Sequence, residues 1–327
     1  MRILYSIFLL LCLFSSTVIR ANTTIDSLKK ALLIAQGQEK VNLQLELSEI
    51  YRRLDPGEAV HYAQEAYEGA KKLNYLLGII RSINYRGVSY EYSGKYEQAM
   101  DNYREGLALS KETEERLGEL ESLGNIAIVS ELLGQFDSAI EYHQKALTLA
   151  YELNNKVEIG DNMANLGLLH ETKGDYEDAL IYLRSALSIY EEINDLIGMA
   201  GAYNDIGITY SKRGHFPTAL DYHLKALKLA QKSNAEYMIA TTYSHVGRLY
   251  LSQKEWPKAL RYYRDALALR QKNGEKTAYA ASYKNVASVL IETGKYEEAL
   301  ANLNKGQQFS KVYGNKYTEA DILFYMG

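Results

Sequence analysis

Apolar and small residues recur along this chain at steps of three and four. They fall at Ile83, Gly87 and Tyr90, and again at Met163, Gly167 and His170. A second set follows the first at Tyr96, Ala99, Tyr103 and Leu107. This spacing puts each set on one stripe of a helix, whereas a half-buried strand would alternate. Between the stripes lies a short turn with a glycine such as Gly94 or Gly174. A glycine there predicts a left-handed residue closing the first helix. Pro217 and Pro257 fall where a second helix would begin, a position that needs no backbone N–H. Turns this short predict antiparallel helix pairs.

The pattern returns at a fixed step of 40 residues. Gly94-Lys95-Tyr96-Glu97-Gln98-Ala99 is followed by copies at Gly134 to Ala139, Gly174 to Ala179, Gly214 to Ala219, Lys254 to Ala259 and Gly294 to Ala299. A degenerate copy lies at Asp55-Pro56-Gly57-Glu58-Ala59. Gly87, Ala127, Gly167, Gly207, Gly247 and Ala287 share one place in the first helices, and Ala99 to Ala299 share one in the second. Side chains this small let paired helices approach closely. The aromatics Tyr96, Phe136, Tyr176, Phe216, Trp256 and Tyr296 are expected to fill the space beside them. The fold class expected is all-α, an α-α superhelical solenoid of tandem helix-turn-helix units. The array reads as residues 41–313, one shortened unit and six regular ones, after a lead-in helix at 22–40. Residues 314–327 read as the first helix of a further unit. Without its partner helix such a unit cannot bury its apolar face, so a longer protein is expected.

The run Asn165-Leu166-Gly167, then Gly174-Asp175-Tyr176-Glu177-Asp178-Ala179, then Ala186-Leu187 resembles the tetratricopeptide repeat. The resemblance covers nearly all of the chain beyond its amino terminus. The 40-residue step is longer than the basic repeat and lacks its closing proline, which resembles the long-repeat branch of bacterial regulators and kinesin light chains. The resemblance implies that the first helices line a concave groove. Asn125, Asn165, Asp205, His245 and Asn285 stand two residues before the small packing position. Val88, Ile128, Leu168, Ile208, Arg248 and Ser288 stand just after it, and Glu91, Glu131 and Glu171 one turn further on. In the family such asparagines hold the backbone of an extended peptide, because an amide both donates and accepts. The competing reading is that they satisfy turns or neighbouring helices. The expected groove residues are therefore Asn125, Asn165, Asp205, Asn285, Val88, Ile128, Leu168, Ile208, Glu131, Glu171 and Arg248. A protein or peptide segment with apolar anchors and basic flanks suits the first half of this groove. The second half offers His245, Arg248, Ser288 and Lys284.

Composition narrows the function. The net charge of −4 argues against nucleic acid as a partner of this segment. Met1-Arg2, the apolar run Ile3 to Phe14, and Ser15-Ser16-Thr17 leading to Ala21 have the layout of a secretory signal peptide over residues 1–21. An uncleaved membrane anchor is the alternative. Either way the array is expected to be exported, periplasmic or secreted, with membrane contact only through that anchor or a span beyond residue 327. Cys12, the only cysteine, lies inside the apolar run, so the mature chain would carry no thiol. Phosphate loops, dinucleotide fingerprints and HExxH motifs are absent from the sequence. His143 and His223 fall at equivalent places, which predicts packing, and acidic pairs such as Glu191-Glu192 read as solvated charge. No cofactor, metal or catalysis is expected. The chain reads as a binding scaffold or, alternatively, as the sensing region of a larger membrane signalling protein with a histidine kinase, cyclase or DNA-binding output.

Overall fold

A computed structural model describes residues 18–313 and 316–326. Residues 1–17 of the leader-like stretch lie outside the described residues. Among the described residues there are sixteen α-helices and no strand. A lead-in helix, α1 (Val18–Ile34), precedes seven pairs. These are α2 (Gly37–Leu54) with α3 (Pro56–Lys72), α4 (Leu76–Tyr92) with α5 (Tyr96–Glu112), α6 (Arg116–Leu132) with α7 (Phe136–Glu152), and α8 (Lys156–Lys173) with α9 (Tyr176–Glu192). Then come α10 (Leu196–Lys212) with α11 (Phe216–Lys232), α12 (Glu236–Ser252) with α13 (Trp256–Asn273), and α14 (Tyr279–Glu292) with α15 (Tyr296–Tyr313). A short 3₁₀ turn, Lys276–Ala278, leads into α14, and α16 (Lys316–Met326) follows. Each helix packs on the next, and successive first helices also touch, as a solenoid requires.

One turn type makes this regularity. A residue with positive φ stands every 20 residues: Asn74, Gly94, Glu114, Gly134, Asn154, Gly174, Asn194, Gly214, Asn234, Lys254, Gly274 and Gly294. The next residue's N–H then reaches back into the helix. Lys95 N–H donates to the Tyr90 carbonyl at 2.9 Å, and Glu115 N–H to that of Ser110 at 2.8 Å. This Schellman closure satisfies carbonyls that the helix end would leave bare. Two 17-residue helices, each followed by such a three-residue turn, make the 40-residue unit. Glycine closes most turns within units. Asparagine, whose short side chain tolerates the left-handed region, closes most turns between them.

The small residues of the first helices meet a different column from the one expected. A Cβ at Gly87 would stand 2.5 Å from the Tyr103 ring; at Gly167, 2.7 Å from Leu183 Cγ; at Gly207, 2.8 Å from His223; at Gly247, 2.8 Å from Tyr263. Tyr103, His143, Leu183, His223, Tyr263 and Leu303, all buried, fill the space between paired helices. Tyr96 is buried too, but Tyr296 is 67% exposed. That column opens its helix, at the edge of the contact, whereas residue 103 sits at the middle of the crossing.

Neighbouring units are also joined by buried polar pairs. Asn84 Nδ2 donates to Ser122 Oγ at 3.0 Å, and Asn204 Nδ2 to Thr242 Oγ1 at 2.8 Å. Buried polar atoms with partners cost little and fix register. The superhelix then returns on itself. The Arg53 guanidinium lies 4.3 Å from the Tyr237 ring centre, and Thr277 Oγ1 donates to the Arg53 carbonyl at 3.2 Å. The first unit thus touches the sixth and the entry to α14. Among the described residues no helix is long and apolar enough to cross a membrane.

Candidate functional site

The first helices α2, α4, α6 and α8 line a cavity of about 670 Å³. Leu45, Val88, Ile128 and Ala164 give it apolar surface, and Asn42, Asn125, Asn162 and Asn165 give it amides. Four of the residues expected from the sequence, Asn125, Asn165, Val88 and Ile128, meet here. Leu168, Ile208, Asp205 and Asn285 are half-buried and continue the same columns beyond the cavity, along α8, α10 and α14. Glu131 is half-buried at the end of α6. Glu171 is buried and held by Lys212 of the next unit at 2.7 Å. Arg248 is exposed and donates to His245 Nδ1 at 3.1 Å.

The cavity is acidic. Arg81 grips Glu121 through Nε at 3.0 Å and Nη2 at 2.7 Å, and Arg52 reaches Glu49 at 2.5 Å. Glu46, Glu158 and Asp161 also line it, and among the described residues none of them has a cation partner within 4.0 Å. The Tyr190 hydroxyl donates to Asp161 at 2.6 Å. Asn162 Nδ2 donates to Glu158 at 3.4 Å. Burial, with the charges of Asp161 and Glu121 beside it, pushes the Glu158 carboxyl up to about 7. Burial raises Asp161 as well, against the Tyr190 hydrogen bond. Further along, burial and the Glu171 charge raise Glu131, and raise Asp205 to about 7.

In the next unit after Asp205 the same columns turn basic. His245 takes the place of Asn125 and Asn165, Arg248 that of Ile128, and Arg270 that of Tyr190. His245 stacks on the buried His223, ring centres 5.6 Å apart. Burial and Arg248 push His223 down to about 4. Burial, then Arg248, His223 and Arg270, hold His245 well below the usual imidazole range. His143 and His223 both lie in the core and pair with Asn162 and Asn204 at 2.9 and 3.0 Å. Among the described residues no cluster of three His, Cys, Asp or Glu side chains could hold a metal ion.

Sequence reasoning missed Arg81, Glu121, Asp161, Glu158 and Tyr190. A signal existed for three of them. Residues 81, 121 and 161 stand four places before 85, 125 and 165, on the same helix face one turn earlier.

The family model described as tetratricopeptide repeat matches residues 78–152, 158–232 and 238–311. Solved structures share the architecture. A Rap protein complexed with Competence and Sporulation Factor is similar at 17% identity over 87% of this chain and 80% of that one, with a TM-score of 0.65. Aspartyl phosphate phosphatase F from Bacillus subtilis is similar at 20% identity over 90% and 75%, with a TM-score of 0.61. NprR in complex with its cognate peptide NprX is similar at 19% identity over 89% and 84%, with a TM-score of 0.59. At these identities the likeness is one of fold. A search of curated proteins finds no sequence match.

Proposed function

This chain belongs to the tetratricopeptide repeat family, and from that premise we propose that it is a non-catalytic scaffold whose concave face binds an extended segment of a protein or peptide. The observation that carries this reading is the cavity itself. It presents amides from three of four successive first helices, α2, α6 and α8, around an apolar strip formed by Leu45, Val88 and Ile128. Amides on a rigid helix face can pair with a peptide backbone, and the apolar strip can take a side-chain anchor. Glu46, Glu158 and Asp161, which lack cation partners among the described residues, suit a basic flank on the bound segment. The Rap protein and NprR, with similar folds, are described in complex with a factor and with a cognate peptide.

The test is enrichment of peptides from a synthetic random pool by wild type and by Asn125→Ala/Asn165→Ala. Wild type is expected to retain peptides with an apolar residue flanked by Lys or Arg, and the double variant to lose them. Equal retention would remove the asparagines from the site. We also propose that the chain is exported, on the leader-like pattern of residues 1–21. Cell fractionation with amino-terminal sequencing of the mature protein checks this; a chain found whole in the cytoplasm would refute it.

A further inference from the structure

The first unit differs from the others at one place in its helix pair. Leu109, Leu149, Ile189, Leu229, Leu269 and Phe309 share one position of the second helices, and the first unit has Gly69 there. Leu149 shares an apolar cluster with Leu123 of its own first helix, and the Phe309 ring stacks on Tyr283, centres 6.1 Å apart. In the first unit the facing residues are Gln44 and Val41. A Cβ at Gly69 would lie 3.8 Å from Gln44 Oε1 and 3.2 Å from Val41 Cγ2. With no large side chain at Gly69, a cavity of about 520 Å³ opens between α2 and α3. It shares no lining residue with the cavity of the concave face.

The end of a solenoid has reason to be polar, since it meets water. Polarity does not require a hollow, and glycine weakens a helix interior. Nor is the lining that of a plain solvated end. Gln44 is only 4% exposed. Its Nε2 donates to Glu65 at 3.0 Å, and its Oε1 accepts from no group among the described residues. A buried amide oxygen ordinarily has a donor.

The charges in this cavity are sorted by sign. Glu65 and Glu68 accept from the amides of Gln44 and Gln64, both at 3.0 Å. Lys40 and Lys72 stand toward the end where α2 begins and α3 stops. Among the described residues neither lysine has a carboxylate within 4.0 Å, and neither glutamate has a lysine or arginine. The remaining ionisable group of the lining is the exposed His61, 3.6 Å from Glu65. At the rise of a helix, Lys72 stands about 6 Å beyond Glu68 and about 10 Å beyond Glu65. Val41 and the hollow at Gly69 give apolar surface between the two poles.

We propose that this cavity binds a small zwitterion in which several methylenes separate an ammonium from a carboxylate. Glu65 and Glu68 take the ammonium, with Gln44 Oε1 as a further acceptor. Lys40 and Lys72 take the carboxylate, and Val41 and Gly69 take the methylenes. Both ends then gain charge-assisted hydrogen bonds. A molecule charged at one end leaves one pole without a partner. The site does not depend on the reading of the groove.

The test is calorimetric titration of the full chain with 6-aminohexanoate, and with hexanoate and hexylamine at the same ionic strength. The zwitterion is expected to bind at least about tenfold more tightly than either analogue. Gly69→Leu restores the residue of the other units and is expected to weaken binding about tenfold or more, with circular dichroism confirming a folded chain. Lys40→Gln/Lys72→Gln, at exposed positions, is expected to lose the preference for the zwitterion over hexylamine, and gives a second readout if Gly69→Leu misfolds. Asn125→Ala/Asn165→Ala is expected to bind 6-aminohexanoate as wild type does. No measurable binding at millimolar probe, equal affinity for all three probes, or unchanged binding by folded Gly69→Leu overturns the inference. Loss of binding in the asparagine variant overturns it too, by placing the probe in the groove.

Discussion

Asn125 and Asn165 on one side of the concave face, and His245 on the other, occupy the same place in the 40-residue unit, yet their surroundings are of opposite sign. In the first half, burial, with the carboxylates of Asp161 and Glu121 beside it, raises Glu158 to about 7. In the second half, burial, with the Arg248 guanidinium beside it, lowers His223 to about 4. The backbone beneath is the same: helices of 17 or 18 residues, a positive-φ residue every 20 positions, and small residues at every helix crossing. The difference teaches that the repeat fixes where a side chain points and leaves free what that side chain is. Stability lives in the buried columns, and the half-buried columns beside them are free to change from unit to unit.

The strongest challenge to this contrast is to overpack each half at the same place. Gly167→Leu and Gly247→Leu would drive a side chain into Leu183 and the Ala179 carbonyl, or into the Tyr263 ring. Each is expected to destabilise its region by about 3 kcal/mol, read as lost hydrogen-exchange protection around α8 and α9, or around α12 and α13. Unchanged melting of either variant would mean that the two halves do not share one packing scheme.

Titration should separate the halves by sign. Glu158 and Asp205 hold protons more tightly in the folded chain, to about 7, than the ordinary values of 4.5 and 3.8 allow once unfolded. The folded state therefore binds extra protons in that window, and stability falls as pH rises through it. His223 does the opposite. Its folded value of about 4 lies below the ordinary 6.5, so stability falls as pH drops between them. Each effect is expected to reach on the order of 1–2 kcal/mol locally, given partial solvent screening. Hydrogen exchange in α8 should weaken toward pH 8 and that in α11 and α12 toward pH 4. Glu158→Gln and His223→Gln should each flatten only their own slope. One common slope along the whole array would erase the comparison.

A smaller effect tests whether the two halves are coupled. Tyr237→Leu removes the ring beneath Arg53 and should cost about 0.5–1 kcal/mol, widening the particle in solution scattering as the first unit releases the sixth. An unchanged radius of gyration would show that the closure does not depend on this pair. The smallest effect should be equal on both sides. Glu114 and Lys254 hold positive φ without the freedom of glycine or the tolerance of asparagine. Glu114→Gly and Lys254→Gly are each expected to stabilise by about 0.5 kcal/mol, the strain relieved exceeding the added entropy of the unfolded chain. A loss of stability in either would contradict the shared turn.

The sequence alone determined the local elements. Three-and-four spacing, the recurring glycine and the fixed step define the helices, the turns within units and the solenoid, because these depend on contacts between residues close in the chain. It also carried the groove columns at 88, 125, 128 and 165, since one repeat predicts the facing of the next. The asparagines at 74, 154, 194 and 234 were equally legible as the second set of left-handed turns. Only the tertiary structure decided what depends on distant parts of the chain meeting. The column at 103 rather than 96 meets the small residues of the first helices, because residue 103 stands near the middle of its helix and residue 96 opens it. Glu171, spaced like a groove residue, is taken by Lys212 of another unit. Arg53 meets Tyr237 and Thr277 because the small rotation between successive units accumulates over six of them into one closed turn, a sum that no single repeat can display.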